Sequence, residues 1–214
     1  VTDSAYWLTA KAVSTGGRVT AFSEAVMAPV LGPGGEPLRG TRSYDVESLT
    51  IAGGAAYIGV ERTQEIFRFD FAGAGVSARA QPVPLPREIV RAWPRNKGPE
   101  GVAVVPEGSP LAGALVVVAE RARWGRDEPS QGLVWHGGRW SPFDIARRDN
   151  FEITDIAFLP SGEALLLERR YSVFRGAACR IRLVAAGAIR PGARIEGRVI
   201  FAADAAAQID NMEG

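Results

Sequence analysis

Cysteine and histidine are almost missing from this chain of 214 residues, which contains one of each, Cys179 and His136. One thiol cannot form an internal disulfide, and one thiol with one imidazole is too few for a Cys/His zinc site. The sequence also lacks a Gly-x-Ser-x-Gly elbow, and its one histidine falls at a predicted hairpin turn. The sequence therefore argues against a Ser-His-Asp catalytic triad.

Lysine is nearly absent too, since only Lys11 and Lys97 accompany the arginines. The net charge is +1, with basic and acidic residues interspersed, so the broad basic surface of a nucleic-acid-binding protein is missing. The longest uninterrupted apolar run is residues 114–119, far below the roughly 20 residues of a membrane-spanning helix. With 46% hydrophobic and 23% charged residues, the composition is that of an ordinary globular domain.

A repeat organises the chain. An acidic residue opens an apolar run, a turn follows, and a second apolar run ends in Glu-Arg. The leading acids are Glu47, Glu100 and Asp155, and a fourth unit begins at Asp210 with Glu213 as its acid. The trailing acids are Glu61, Glu120 and Glu168. The period is about 55 residues, in the range of propeller blades.

Each unit holds about four short strand-like runs separated by Gly- and Pro-rich turns. We therefore predict an all-β fold, a β-propeller with four-stranded blades, in which the chain supplies about four blades' worth. The approximate units are residues 1–44, 45–97, 98–152 and 153–209, with the next starting at 210. The first and last units are partial, which we interpret as one incomplete domain of a larger propeller.

Strand order brings the acids together. In an antiparallel pair, the start of one strand lies beside the end of the next, so we expect Glu47 beside Glu61, Glu100 beside Glu120, and Asp155 beside Glu168. Blade symmetry then places all pairs on one face, as a carboxylate ring around the channel. Clustered carboxylates need a positive charge among them, from arginine or a hard cation such as calcium. The predicted metal ligands are Asp45, Glu47, Glu61, Glu100, Glu120, Asp155, Glu168 and Glu213.

The same residues allow a purely structural interpretation. Arginines directly follow the trailing acids, and acids at strand ends often accept hydrogen bonds from loops or pair with such arginines. Arg62, Arg121 and Arg169 are equally placed to hold a phosphate, and we group Asn96 with them as a substrate-binding candidate.

Several segments resemble a known family. These are Asn96-Lys97-Gly98-Pro99-Glu100-Gly101, Leu167-Glu168-Arg169-Arg170-Tyr171-Ser172 and Asp210-Asn211-Met212-Glu213-Gly214. They are similar to the phytase-like domain of exported bacterial proteins, often labelled "esterase-like activity of phytase". The resemblance implies a propeller and a periplasmic or secreted location. This chain differs from propeller phytases because it contains little lysine and because Ser48 replaces the usual glycine after the acid.

Three functions follow as hypotheses. The first is a calcium-assisted phosphoester hydrolase that acts on a small, phosphorylated molecule through the carboxylate ring. The second is a propeller without catalysis that binds a ligand or protein in the cell envelope, with structural calcium. The third is a sugar-lactone hydrolase, which rests only on the presence of Glu, Asn and Asp.

Overall fold

The structure, a computed structural model, describes residues 1–123, 125, 128–173, 176–207 and 209. The fold is all-β, as predicted. The fifteen strands among these residues are β1 (Tyr6–Thr15), β2 (Arg18–Pro29), β3 (Val46–Ala52), β4 (Ala55–Val60), β5 (Glu65–Asp70), β6 (Gln81–Val83), β7 (Pro99–Val104), β8 (Leu115–Ala119), β9 (Ser130–His136), β10 (Arg139–Ile145), β11 (Glu152–Phe158), β12 (Ala164–Ser172), β13 (Gly176–Val184), β14 (Arg194–Ile195) and β15 (Arg198–Asp204). Two single-turn helices, α1 (Phe71–Ala74) and α2 (Arg87–Val90), lie in loops.

Three antiparallel sheets follow one another along the chain. Sheet A has the order β3-β4-β5-β6, sheet B has β7-β8-β9-β10, and sheet C has β11-β12-β13-β15. Sheet B has a fifth, parallel strand, β14. In the chain β14 lies between β13 and β15 of sheet C, but it pairs with β10 of sheet B. This exchange ties two consecutive sheets together.

Local sequence explains the strands of these sheets. β8 is buried along its whole length and reads as an unbroken apolar run, as expected of a strand covered on both faces. The turn between β3 and β4 is Gly53-Gly54, and both glycines have positive φ angles of 55° and 78°. Such a two-residue turn matches the twist of the flanking strands.

The first strands of the three sheets lie side by side, with β7 packed between β3 and β11. Glycine permits the close approach. A Cβ atom on Gly101 of β7 would lie 2.8 Å from the backbone nitrogen of Ile156 in β11. A Cβ atom on Gly59 of β4 would lie 3.0 Å from the carbonyl oxygen of Pro99. The strand starts, where the acids lie, are thus drawn together.

The segment that precedes sheet A forms only a long hairpin, β1 with β2, rather than a four-stranded sheet. Trp7 and Val30 pack into the core of sheet A, whereas most of the hairpin is exposed. The structure therefore contains three sheets of four or five strands and one hairpin, and the described residues do not form a closed ring.

Candidate carboxylate site

A one-residue β-bulge sets the position of each leading acid. In sheet A the register between β3 and β4 shifts between Val46 and Ser48, which places Glu47 in the bulge. In sheet B the shift lies between Pro99 and Gly101, which places Glu100 there. A bulge leaves its extra residue outside the regular ladder and redirects its side chain. The two acids therefore occupy equivalent positions in successive sheets.

The first carboxylate group joins Asp45, Glu47 and Glu61. One oxygen from each residue lies within 4.8 Å of the others. Asp45 precedes β3 and Glu61 follows β4, and the backbone N-H of Glu61 donates to the carbonyl of Asp45 at 3.0 Å. Glu61 is buried and the other two are partly exposed. This group faces solvent on one side.

The second carboxylate group joins Glu61, Glu100 and Glu120, again with one oxygen from each within 4.8 Å of the others. All three residues are buried, and Glu120 is only 2% exposed. Glu61 belongs to both groups. The two groups form one continuous carboxylate cluster, defined as Asp45, Glu47, Glu61, Glu100 and Glu120, which crosses from sheet A to sheet B.

Burial and mutual repulsion oppose ionisation in this cluster. Burial, reinforced by the charges of Glu120, Glu61 and Glu47, raises the pKa of Glu100 to about 10. Burial and the neighbouring carboxyl of Glu152 raise the pKa of Glu120 to about 8, even though Lys97 acts in the opposite direction. Burial also raises the pKa of Glu61. Without a cation, burial therefore favours the protonated form of Glu100 and Glu120 at neutral pH.

Lys97 and Glu152 extend the cluster towards sheet C, and neither residue was predicted to belong to the site. Lys97 Nζ lies 2.6 Å from Glu120 Oε2 and 3.4 Å from Glu152 Oε2. Arg121 forms a close ion pair with Glu152. The repeat contains a signal for Glu152, because Glu152 lies two residues before the bulge at Thr154, as Asp45 lies two residues before the bulge at Glu47.

Asp155 lies elsewhere, in a polar cavity of 380 Å³ that Asp3, Glu47 and Ser48 also line. Burial raises its pKa to about 6, although the backbone N-H of Ile156 stabilises the charged form. Glu47 lines this cavity and belongs to the carboxylate cluster, so it connects the two. An open cavity lined by acidic side chains therefore lies next to the carboxylate cluster.

Glu168 has different surroundings. Its side chain is fully buried, and its two oxygens accept from two arginines of β13, Arg180 Nε at 2.5 Å and Arg182 Nη2 at 2.6 Å. Arg180 also stacks over the ring of Phe151, 4.2 Å from its centroid. Glu168 therefore sits in an ion-pair network inside sheet C, outside both carboxylate groups.

A one-residue difference in register explains why the third unit departs from the repeat. Its bulge falls between Ile153 and Asp155, so Thr154 occupies the position of Glu47 and Glu100. Glu168 pairs with Ile153 inside the ladder, one residue before the position that Glu61 and Glu120 occupy. The residue in that trailing position is Arg169. Asp155 and Glu168 therefore do not form a pair like those of sheets A and B.

The predicted substrate-binding residues are spread around the cluster. Arg62 Nε lies 3.7 Å from Asp45 Oδ2, and its guanidinium lies over the ring of Tyr44 while its side chain remains 46% exposed. Arg121 is held by Glu152, and Arg169 lies opposite Glu152 in the ladder. Asn96 is exposed in a turn with a φ of 54°. Glu213 lies outside the described residues.

The residues present fit a hard cation. The five cluster members offer only oxygen ligands, which calcium prefers. Within the described part of the chain, Oε1 of Glu120 is buried and has no hydrogen-bond partner. A buried acceptor left unpaired is costly, and a cation or a proton would satisfy it.

Repeated antiparallel sheets that share a carboxylate cluster at the starts of their first strands define a class of all-β repeat protein. Within that class the family is established by sequence: a profile of the Phytase-like family, described as "Esterase-like activity of phytase", matches residues 1–214. The chain belongs to this family.

Comparison with solved structures gives weaker likenesses. The N-terminal domain of Nup159 has a TM-score of 0.38 and 10% identity over 72% of this chain. The structure of YCF48 bound to D1 peptide has a TM-score of 0.25 and 12% identity over 67% of this chain. This chain spans 37% and 64% of the lengths of those two proteins. No curated protein matches the sequence. Among the described residues, no helix is long and apolar enough to cross a membrane.

Proposed function

We propose that this chain forms blades of a phytase-like β-propeller and acts as a calcium-assisted phosphoester hydrolase through the carboxylate cluster. The observation that carries the proposal is the second carboxylate group, in which three buried glutamates meet with a buried oxygen unpaired. Lys97 supplies one positive charge at 2.6 Å from Glu120, which is fewer than the three carboxyl groups need. Buried carboxylates without full compensation are unfavourable, so a site of this kind is suited to a cation.

The residues divide into two roles. Glu100 and Glu120 form the buried wall, and Lys97 orients Glu120 through its 2.6 Å ion pair. Asp45 and Glu47 form the partly exposed side, where a substrate can approach. When bound, calcium supplies positive charge that stabilises the charge developing on a phosphoryl oxygen.

Arg62 is suited to holding the substrate phosphate. Its side chain is 46% exposed and remains 3.7 Å from Asp45, a longer distance than that of a tight ion pair. It can therefore contact a phosphate oxygen without first breaking a strong bond. Stacking on Tyr44 keeps the guanidinium near the solvent-facing carboxylate group.

The test is hydrolysis of phytate and of an aryl phosphate by the wild-type protein with added calcium. Glu100→Gln keeps the size of the side chain and removes its negative charge, so we expect loss of calcium binding and of turnover. Glu88→Gln, at an exposed site in α2, is the matched control and should behave as wild type. Equal turnover by the wild-type and Glu100→Gln proteins would refute the proposal.

A second function is favoured by a separate observation. Arg121, one of the predicted phosphate ligands, already forms an ion pair with Glu152. This arrangement suits a propeller in which calcium only fixes the sheets together and no phosphoester is cleaved. In that case calcium would stabilise the wild-type protein against heat and Glu100→Gln would abolish the effect, while neither protein would release phosphate.

The family resemblance further supports a periplasmic or secreted location for the protein. Cell fractionation followed by immunoblotting tests this proposal, and recovery of the protein with the cytoplasmic fraction would contradict it.

A further inference from the structure

An apolar cavity of 310 Å³ lies between sheets B and C, at the opposite end of the strands from the carboxylate cluster. Val105 follows the end of β7, and Glu100 stands near its start. At about 3.3 Å per residue, five residues of strand place them about 16 Å apart. The cavity is therefore separate from the carboxylate cluster. Its lining is Val105, Ser109, Pro110, Leu111, Phe158, Gly162, Ala164, Ala185, Gly187, Ile189 and Arg190.

Hydrogen-bonded turns form the walls of this cavity. Val105 and Ala114 close the loop between β7 and β8, with Val105 N-H donating to Ala114 at 2.9 Å. The turn between β11 and β12 is closed by Gly162 N-H donating to Leu159 at 2.9 Å. Walls fixed by backbone hydrogen bonds keep the cavity formed without a ligand, so binding loses little conformational entropy.

A glycine keeps the two turns in contact. Gly162 has a φ of 84°, a left-handed conformation that favours glycine. A Cβ atom there would lie 2.7 Å from Ser109 Oγ, a hydroxyl on the wall supplied by sheet B. The glycine thus sets the distance between the walls and leaves the hydroxyl beside the cavity.

The lining of the cavity is mainly apolar and contains one cationic side chain. Most of the lining is apolar, and the polar side chains are Ser109 and Arg190. Arg190 is exposed, and within the described residues its guanidinium has no hydrogen bond or ion pair. An unpaired cation at the edge of an apolar cavity is complementary to an anionic head group on an apolar body.

We propose that this cavity binds a small amphipathic monoanion, a medium-chain carboxylic acid, with its hydrocarbon chain among Val105, Leu111, Phe158 and Ile189 and its carboxylate against Arg190. Ser109 Oγ is a second donor available to the carboxylate. The volume is at the low end of small-molecule sites, about 300 to 1,000 Å³, which favours a medium over a long chain.

Isothermal titration of the wild-type protein with hexanoate, octanoate and decanoate tests the proposal. We expect saturable binding that strengthens about threefold to fourfold for each added methylene group until the cavity is full, because each buried methylene contributes about 0.8 kcal/mol. Octanol should bind more weakly than octanoate, because it cannot form the charge-assisted hydrogen bond with Arg190.

Two variants separate the head-group contact from the cavity. Arg190→Gln should weaken octanoate binding about tenfold and leave octanol binding unchanged, since a hydrogen bond to a charged group is worth about 1.5 kcal/mol at an exposed site. Ala185→Trp, which places a large side chain at the exposed edge of the lining, should abolish binding of both. The matched controls are Arg139→Gln and Ala74→Trp, at exposed positions outside the lining, and both should bind octanoate as wild type does.

Binding should also persist in Glu100→Gln without calcium, which separates this site from the carboxylate cluster. The proposal is overturned if no chain length binds saturably, or if Ala185→Trp leaves octanoate binding intact. Equal affinity for octanoate and octanol, with no effect of Arg190→Gln, would overturn the role of Arg190.

Discussion

Glu61 of sheet A and Glu100 of sheet B meet carboxyl to carboxyl across the boundary between two sheets, joined by a hydrogen bond between their side chains. Two carboxyl groups can share a hydrogen bond only when one of them holds a proton, and a cation between them can take the proton's place. The stability of the boundary between the sheets is therefore linked to pH and, under the proposed function, should also depend on calcium.

The stability of the calcium-free protein should depend on pH. Because the folded-state pKa of Glu100 is raised to about 10 and that of Glu120 to about 8, the folded protein binds more protons than the unfolded chain above about pH 4.5. The free energy of unfolding of the calcium-free protein should therefore fall as the pH rises from about 5 to 10. Urea unfolding at several pH values measures this, and a free energy of unfolding that rose with pH would contradict it.

Calcium should remove protons as it binds. If calcium takes the place of the protons on Glu100 and Glu120, binding near pH 7 releases protons. Calorimetric titration in buffers of different ionisation enthalpy should then give different apparent binding enthalpies. Glu120→Gln should lose calcium binding and the accompanying proton release, whereas the exposed control Glu88→Gln should bind calcium as wild type does.

The two lysines provide a matched pair of variants. Lys97→Met leaves Glu120 and Glu152 without their shared ammonium group, and we expect a loss of about 1 to 3 kcal/mol, since a mostly buried charge partner is removed. Lys11→Met breaks only an exposed pair with Glu24, which is worth at most about 1 kcal/mol. Thermal and urea unfolding measure both. Equal losses from the two variants would show that Lys97 does not support the cluster.

Glu168 should behave differently from the cluster glutamates. Glu168→Gln leaves Arg180 and Arg182 without their buried counter-charge, so we expect it to destabilise the protein by about 3 kcal/mol or more. Its calcium affinity should equal that of wild type, because the residue lies outside both carboxylate groups. A loss of calcium binding in this variant, with its fold intact, would place Glu168 in the site after all.

The repeat allowed much of this arrangement to be predicted from sequence. An acid, an apolar run, a turn and a second apolar run with a trailing acid recur in sheets A and B, and antiparallel pairing then brings Glu47 to Glu61 and Glu100 to Glu120. Glycine turns and apolar runs indicate this strand pairing, because both are visible within a short stretch of sequence. The family resemblance was also visible in short segments, and the profile of the whole chain confirms it.

Other features depended on contacts between sheets. The contact of Glu61 with Glu100 and the bridge of Lys97 between Glu120 and Glu152 join residues of different repeats, whose separation the sequence does not specify. The bulge at Thr154 was also not predicted, because the repeat aligns Asp155, one residue later, with the bulge residues Glu47 and Glu100.

The sequence by itself determined the all-β repeat and the carboxylates at the strand starts, because alternation, turns and spacing act over short distances. Only the tertiary structure decided which carboxylates share a site. Packing of β7 between β3 and β11 brings Glu61, Glu100 and Glu120 together, while the arginines of β13 hold Glu168 apart. The low local dielectric of that packed boundary, rather than the order of the residues, raises the pKa values and makes the cluster suited to a cation.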